Sequence, residues 1–313
     1  MIAKKVGDYR IHRLRIIALQ ESDFNQCYRL AIGRPLQRLL ERHKFAPDMQ
    51  HGSRSSKLCQ SAVLNKQITF EIHRYAKKPI VYIENDAVGC YDRIINPLVL
   101  ILLRILGLSP SATTSLANTW EQTYHRIRTL YGISEEIYSN STDNPLYGPG
   151  QGSTIGPFLL LLCFILIFMS LPKDSPSISL TSVSGTHQLD YVGEAFVDDA
   201  GLGTNTSDGS TSSLLTNLQT LAQSWEKLLF STGEALNLSK CFWFLLSWHW
   251  DGSRARLSSL AETPGDLVKT SGRDPTSITI PRIEASATFR HWVFTFPLPV
   301  LTRVLCQLFR SLC

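Results

Sequence analysis

Two adjacent carboxylates, Asp198 and Asp199, lie between an apolar run (Tyr191 to Val197) and a small-residue stretch rich in glycine (Ala200 to Gly203). Like charges side by side are costly unless water or a cation neutralises them. An isolated Asp-Asp pair reads as a solvated turn, and what changes that reading is its company. A third acid, Asp86, follows the apolar run Pro79 to Ile83 after Glu84 and Asn85. Between the two acidic sites lies Gly148-Pro149-Gly150-Gln151-Gly152-Ser153-Thr154-Ile155-Gly156-Pro157, followed by a long apolar stretch. Carboxylate oxygens held on rigid strand ends are hard ligands of the kind magnesium takes. The local patterns predict the elements that hold them: a buried strand running into Asp86, a glycine-rich loop opening a helix, and two short strands joined by a turn with Asp198 and Asp199 at its tip.

This order of segments resembles the palm of reverse transcriptases. Asp86-Ala87-Val88-Gly89-Cys90-Tyr91-Asp92-Arg93-Ile94 looks like the first palm motif, Gly150-Gln151-Gly152-Ser153 like the second, and Phe196-Val197-Asp198-Asp199 like the third, aromatic-x-Asp-Asp motif. Three motifs in order are far more specific than any one alone. The resemblance implies an α+β chain with the fingers and palm of a right-hand polymerase and an antiparallel palm sheet backed by helices; the thumb that the family carries next finds no counterpart in this sequence and is expected to be absent. It divides the sequence into partial fingers (1–78), a catalytic palm (79–250) and a divergent tail (251–313).

The implied function is that of a retrotransposon-type RNA-directed DNA polymerase, with an RNA template, a DNA primer or RNA–DNA hybrid, and deoxynucleotides as partners. Strand extension is in-line attack of a 3′-hydroxyl on an α-phosphate with pyrophosphate leaving, and two divalent cations clamp the attacking and leaving oxygens. The resemblance assigns two magnesium ions, with manganese as a substitute, to Asp86 and Asp198 as shared ligands, with Asp199 beside them as an electrostatic supporter. Asn237-Leu238-Ser239-Lys240 has the Asn-x-x-Lys spacing of a fourth palm motif, which would make Lys240 a general acid near the leaving pyrophosphate; an exposed lysine opening a strand is the competing reading. Tyr91, five residues after Asp86, stands where the family often keeps an aromatic gate against a ribose 2′-hydroxyl. Gly150, Gln151 and Gly152 would let the backbone approach the base pair closely, since a side chain at either glycine would obstruct it. Asp92 and Arg93 read as a structural pair at the start of a helix.

The first 60 residues are basic. Tyr9 to Leu19 alternates cation and apolar residue like a half-exposed strand, presenting Arg13 and Arg15 on one face. These are either edge-strand cations or guanidinium forks for nucleotide phosphates. The family's fingers motif, Arg-x-Ile-x-Leu, favours the second reading at Arg15. A helix opened by Gln20-Glu21-Ser22-Asp23 runs to Glu41 and turns Leu36, Leu39 and Leu40 to one side, with Arg29, Arg34, Arg38, Arg42, His43 and Lys44 in or after it. Gln50 to Lys57 is a polar, basic turn resembling the Gln-x-Gly-x-Arg segment of related polymerases, with Arg54 and Lys57 as template contacts or plain surface charges. Further on the patterns predict a helix from about 58 to 77, helices opened by Asn96-Pro97 and Ser109-Pro110, and a strand on the palm side over Tyr124 to Gly132. A surface loop over Lys173 to Gln188, a core-facing helix over Thr211 to Ser231 and an aromatic strand over Phe242 to Trp250 complete the reading.

At 313 residues the chain can bury an ample core, and 43% hydrophobic with 18% charged residues places it among globular proteins. The net charge of +5 suits a polyanionic partner without requiring one. Seven scattered cysteines without CxxC spacing, and a first segment without an apolar core, point to reduced thiols in an intracellular compartment. Ile155 to Leu171 is uncharged, but flanking prolines trim its helix to about 14 residues, below the length a membrane span requires. No protein partner is evident. Arg290 to Pro299 departs from the family pattern, and residues after about 290 are expected to be a frameshift product of a decaying element. The rivals to the polymerase reading are a catalytically silent nucleic-acid-binding remnant and a polymerase of another template class.

Overall fold

A computed structural model describes residues 2–3, 7, 10, 14–15, 17–129, 131–143, 145–171, 173–182, 184–270, 277–285, 288–291 and 294–297. The helices in chain order are α1 (Ser22–Tyr28), α2 (Arg34–Arg42), α3 (Cys59–Tyr75), α4 (Cys90–Arg93), α5 (Asn96–Ile105), α6 (Pro110–Gln122), α7 (Gly156–Ser170) and α8 (Thr211–Ser231). The chain is α+β and forms two compact units. One comprises Met1–Ala46, Gly89–Leu166 and Thr232–Glu234; the other comprises Pro47–Val88, Ile167–Ser231 and Ala235–Cys313.

The second unit is built on a four-stranded antiparallel sheet of β1 (Ile80–Asn85), β2 (Gly193–Phe196), β3 (Asp199–Thr204) and β4 (Phe242–Leu246), in the spatial order β2-β3-β1-β4. β1 is buried at every residue, as its Ile-Val-Tyr-Ile run requires of a central strand. α3 covers one face, where Phe70 meets Tyr82 edge-on at 5.4 Å and Tyr82 stacks on Phe244 at 6.1 Å. α8 packs on β1 and β3 and buries Leu214, Leu218, Leu221, Ala222, Trp225 and Leu229, the stripe that its helical periodicity predicts.

Each sheet edge is met at one residue: Gln50 bridges β2 at Ala195, and Arg282 bridges β4 at Trp243, both in parallel. Those contacts pair part of the edge that would otherwise be open to another chain. The Ser/Thr-rich segment expected to be a loop instead contributes a strand, Ile178–Thr181, paired with Gln188–Tyr191. Buried Ile178, within the core cluster of Tyr82 and Phe70, is the residue that pulls it in. The aromatic strand expected over Phe242 to Trp250 is two strands, because Trp248–Asp251 leaves β4 to pair with Arg254–Leu257.

In the first unit the helix expected from Gln20 to Glu41 is present and continuous from Ser22 to Arg42, with a π-helical turn over Arg29–Gly33 between α1 and α2. Pro35, which has no amide to donate, directly follows that turn, where the helical hydrogen-bond ladder is already altered. Ser109 caps α6 by accepting the Ala112 amide at 3.2 Å. Asn96 is the first residue of α5 rather than its cap, and Ile95 in extended conformation holds the capping position. Tyr124 to Gly132 does not join the four-stranded sheet. It forms two short ribbons, Tyr124–His125 with Tyr138–Ser139 and Arg128–Thr129 with Gly132–Ile133, exposed along their length. α7 is 15 residues long and almost wholly apolar. Among the described residues no helix is long and apolar enough to cross a membrane.

Of the tail, Thr288–His291 and Phe294–Pro297 pair as strands, and residues 298–313 lie outside the described residues, so the expected shift of frame near 290 falls largely outside them.

Candidate active site

The acids meet through strand register. In β3 and β1, Ala200 pairs with Asn85 and Gly201 with Glu84, which sets Asp199 opposite Asp86 one step further along. In β4 and β1 the regular pairing ends at Phe242 with Glu84; beyond it Ala87 bridges Leu236, and Lys240 lies in the turn that precedes β4. Phe196 pairs with Asp199 across the hairpin. The end of the sheet therefore sets Phe196, Asp199 and Asp86 in one row, and Lys240 reaches Asp86 with its side chain. The Lys240 ammonium donates to both Asp86 carboxylate oxygens, at 2.8 and 3.1 Å. Asn237 donates its amide to the Asp86 carbonyl at 2.8 Å, fixing the loop that carries Lys240.

Asp198 occupies the two-residue turn between β2 and β3 with Val197. Val197 has φ +62°, whereas Asp198 keeps a negative φ, the pattern of a type II′ turn, which favours glycine at the first position. A β-branched residue there is strained. The strain is held from outside. Gln50 donates to the Val197 carbonyl at 3.5 Å, and a Cβ on Gly52 would fall 2.1 Å from the Val197 nitrogen. The segment that the sequence matches to Gln-x-Gly-x-Arg thus buttresses the acidic turn. Its Arg54 donates to the carbonyls of Pro47 and Gln50 at 2.7 and 3.2 Å, closing the turn on itself, and Lys57 pairs with Asp48 at 3.2 Å.

Negative charge accumulates in the row. Burial and the neighbouring carboxylates Asp198, Asp86 and Glu84 push Asp199 up to about 7, against a smaller opposing pull from Lys240. Such a potential draws a cation. Two residues further down each strand, on the same face, a second layer of acids is neutralised within the fold. Lys66 on α3 donates to Glu84 Oε1 at 2.5 Å with both side chains buried, and His51 pairs with Glu194 Oε2 at 2.6 Å. Gly201 lies between them in the register, and a Cβ there would fall 2.6 Å from both Glu84 Oε2 and Lys66 Nζ. These four residues escape sequence reasoning. The available signal was an acid inside an apolar strand, Glu84 after Ile83 and Glu194 before Ala195, which demands a buried partner.

The other predicted residues belong to the first unit. Tyr91 is half-buried, with a Cβ on Gly148 falling 1.9 Å from its carbonyl oxygen and one on Gly156 falling 3.3 Å from its ring. Gly150 and Gly152 have φ of +76° and +117°, and the space each leaves is taken by the protein's own chain: a Cβ would fall 2.9 Å from the Ala18 Cβ and 2.6 Å from the Ala18 oxygen respectively. Gln151 accepts the Ala18 amide at 2.6 Å, and its own amide donates to Asp92 Oδ1 at 3.2 Å. The loop's glycines are thus explained by internal packing. Arg93 donates to the Gly233 carbonyl at 3.3 Å. Arg13 lies outside the described residues, and of Arg15 only the backbone is described, paired with Ile2.

Asp86, Asp198 and Asp199 place carboxylate oxygens, the ligand type magnesium takes, at the strand ends and partly open to solvent, with the Asp199 carboxyl pushed up to about 7 by burial and its acidic neighbours. Among the described residues no three His, Cys, Asp or Glu side chains converge as a ready-made metal cluster.

No protein-family model and no curated protein matches the chain. Solved structures similar to it include apo telomerase from Candida tropicalis truncated from its C-terminal domain, at 15% identity and TM-score 0.45, covering 74% of this chain and 43% of that one. Telomerase from Candida tropicalis in complex with the TWJ fragment of telomeric RNA is similar at 13% identity and TM-score 0.46, covering 92% and 42%. The corresponding Candida albicans complex is similar at 13% identity and TM-score 0.44, covering 80% and 40%. The chain therefore spans about two fifths of the length of those telomerase chains.

Proposed function

We propose that the chain is a retrotransposon-type reverse-transcriptase domain of the right-hand polymerase class, with partial fingers in 1–78 and the palm in 79–250, that extends a primer 3′-hydroxyl with deoxynucleotides on an RNA template. The observation that carries this reading is the sheet end, where the register of two antiparallel strands sets Asp199 opposite Asp86 beside the strained Asp198 turn and the Lys240 ammonium reaches Asp86.

Asp86 and Asp198 would hold two magnesium ions, with Asp199 supporting them through its charge. The bound ions would supply the Lewis acidity that neutralises charge on the attacking and leaving oxygens. The 3′-hydroxyl would lose its proton to water, and its oxygen would form a bond to the α-phosphorus as the bond to pyrophosphate breaks. Lys240 would move from Asp86 to protonate the departing pyrophosphate. Tyr91 would exclude a ribose 2′-hydroxyl, and Arg15 would steady the triphosphate.

A second reading, a catalytically silent remnant that still binds nucleic acid, is favoured by the ammonium that covers both Asp86 oxygens. Primer extension by the purified chain on an RNA template, with magnesium and deoxynucleotides, separates the two. Extension that disappears in Asp198→Asn supports the polymerase. No extension from a folded protein moves the reading to the silent remnant.

A further inference from the structure

Helix α2 presents a line of arginines that the acidic site does not use. Arg34, Arg38 and Arg42 are spaced by four residues, so each advances about 6 Å along the axis and about 40° around it. All three fall within roughly 80° of the circumference, over about 12 Å of helix. All three are exposed, and no ion pair holds them among the described residues. Leu40 is 1% exposed and, with half-buried Leu36 and Leu39, seats the opposite side of the helix. Glu41, the acid of this helix, stands three residues after Arg38 at the border of the arginine side and is half-buried. Exposed Arg29 precedes the line, and exposed His43 and Lys44 follow it.

A solvated surface helix mixes its charges, with acids four residues before cations. Here two successive like-charged pairs at four-residue spacing destabilise the isolated helix. A partner with a regular line of negative charge would relieve that repulsion. We infer that Arg34, Arg38 and Arg42 grip the phosphate backbone of a nucleic acid. Guanidinium forks match phosphate oxygens. Along one strand of a duplex a charge recurs about every 3.4 Å of axis, so the length of the stripe spans about three to four phosphates of that strand. The choice of nucleic acid over another polyanion rests on the polymerase reading; the charge geometry does not. Contacts of this kind bind without regard to sequence and weaken steeply with salt.

The test is fluorescence anisotropy of the full chain on a labelled RNA–DNA hybrid of about 20 base pairs, over a range of salt, without divalent metal or nucleotide. Replacing Arg34, Arg38 and Arg42 by Gln together should flatten the slope of log K against log salt by about 2.7, at about 0.9 per phosphate contact. Affinity at low salt should fall at least tenfold and equally for two unrelated sequences, with the melting temperature not lowered. A control removing Lys227 and Arg254, exposed cations of the other unit, should keep the original slope. An unchanged slope in the triple variant, or an equal flattening in the control, overturns the inference. So does lost binding to phosphatidylserine vesicles with hybrid binding intact. Because the assay involves no turnover, a failure of primer extension beside an arginine-dependent slope breaks the polymerase reading alone.

Discussion

The acids at the end of the central sheet and the acids two residues below them share strands and a face, yet the fold treats them oppositely. Glu84 is buried and answered by Lys66 at 2.5 Å, and Glu194 is buried and answered by His51 at 2.6 Å. Those pairs complete a core in which an uncompensated charge would be prohibitive. One layer up, Asp86, Asp198 and Asp199 are partly open, and Asp199 is raised to about 7 by the charges around it. The lower layer is what folding demands. The upper layer gathers three carboxylates at a turn strained at Val197, with the Lys240 ammonium on Asp86, and it is to this layer that the proposed function assigns the cations.

The sharpest way to break this contrast is to neutralise one acid from each layer. Asp198→Asn should cost primer extension at least about 10³-fold, equivalent to about 4 kcal/mol, while thermal melts show no loss of stability. Lys66→Met should do the reverse. Stranding Glu84 in the core should cost about 3–5 kcal/mol in urea unfolding, and adding Glu84→Leu should recover most of it. If Lys66→Met left stability untouched, the lower layer would not be structural. Gly201→Ala forces a methyl onto both members of the Lys66–Glu84 pair and should cost about 2 kcal/mol by the same measurement.

The raised Asp199 gives a pH signature. Between its ordinary value of 3.8 and about 7 the folded state holds a proton that the unfolded state has released. Stability in metal-free buffer should therefore fall as pH rises through that window, by at most about 1.4 kcal/mol per unit before solvent screening reduces it. Below about pH 4 the penalty is absent, and above about 7 it is fully present. Asp199→Asn should flatten the profile. The smallest expected effect is at Val197→Gly, which relieves the positive φ and should raise the melting temperature by about 1–2 °C, net of glycine's entropic cost.

Much of the upper layer was legible because its signals are local. The apolar run before Asp86, the two-residue turn between β2 and β3, and the leucine stripe of α8 each lie within one stretch of chain, and the structure has β1, the hairpin and α8 where those patterns put them. The lower layer was not legible because its partners are remote. Lys66 and Glu84 are separated by 18 residues and His51 and Glu194 by 143, with no local pattern joining them. Alternation misled at Tyr124 to Gly132, where a two-residue period survives in exposed ribbons that bury nothing. Composition misled at Ile178–Thr181, where a single buried isoleucine outweighs its serine and threonine neighbours. The π-helical turn inside the helix from Ser22 to Arg42 had its sign in Gly33-Arg34-Pro35, a glycine and a proline within a helical pattern.

Whether the upper layer binds divalent cations, as the proposed function requires, is decided by manganese binding followed by electron paramagnetic resonance. The wild-type chain should take up Mn²⁺, and Asp86→Asn and Asp198→Asn should each weaken that uptake at least tenfold, while Glu194→Gln leaves it unchanged in whatever fraction remains folded. Equal uptake by the wild type and both aspartate variants would contradict the claim.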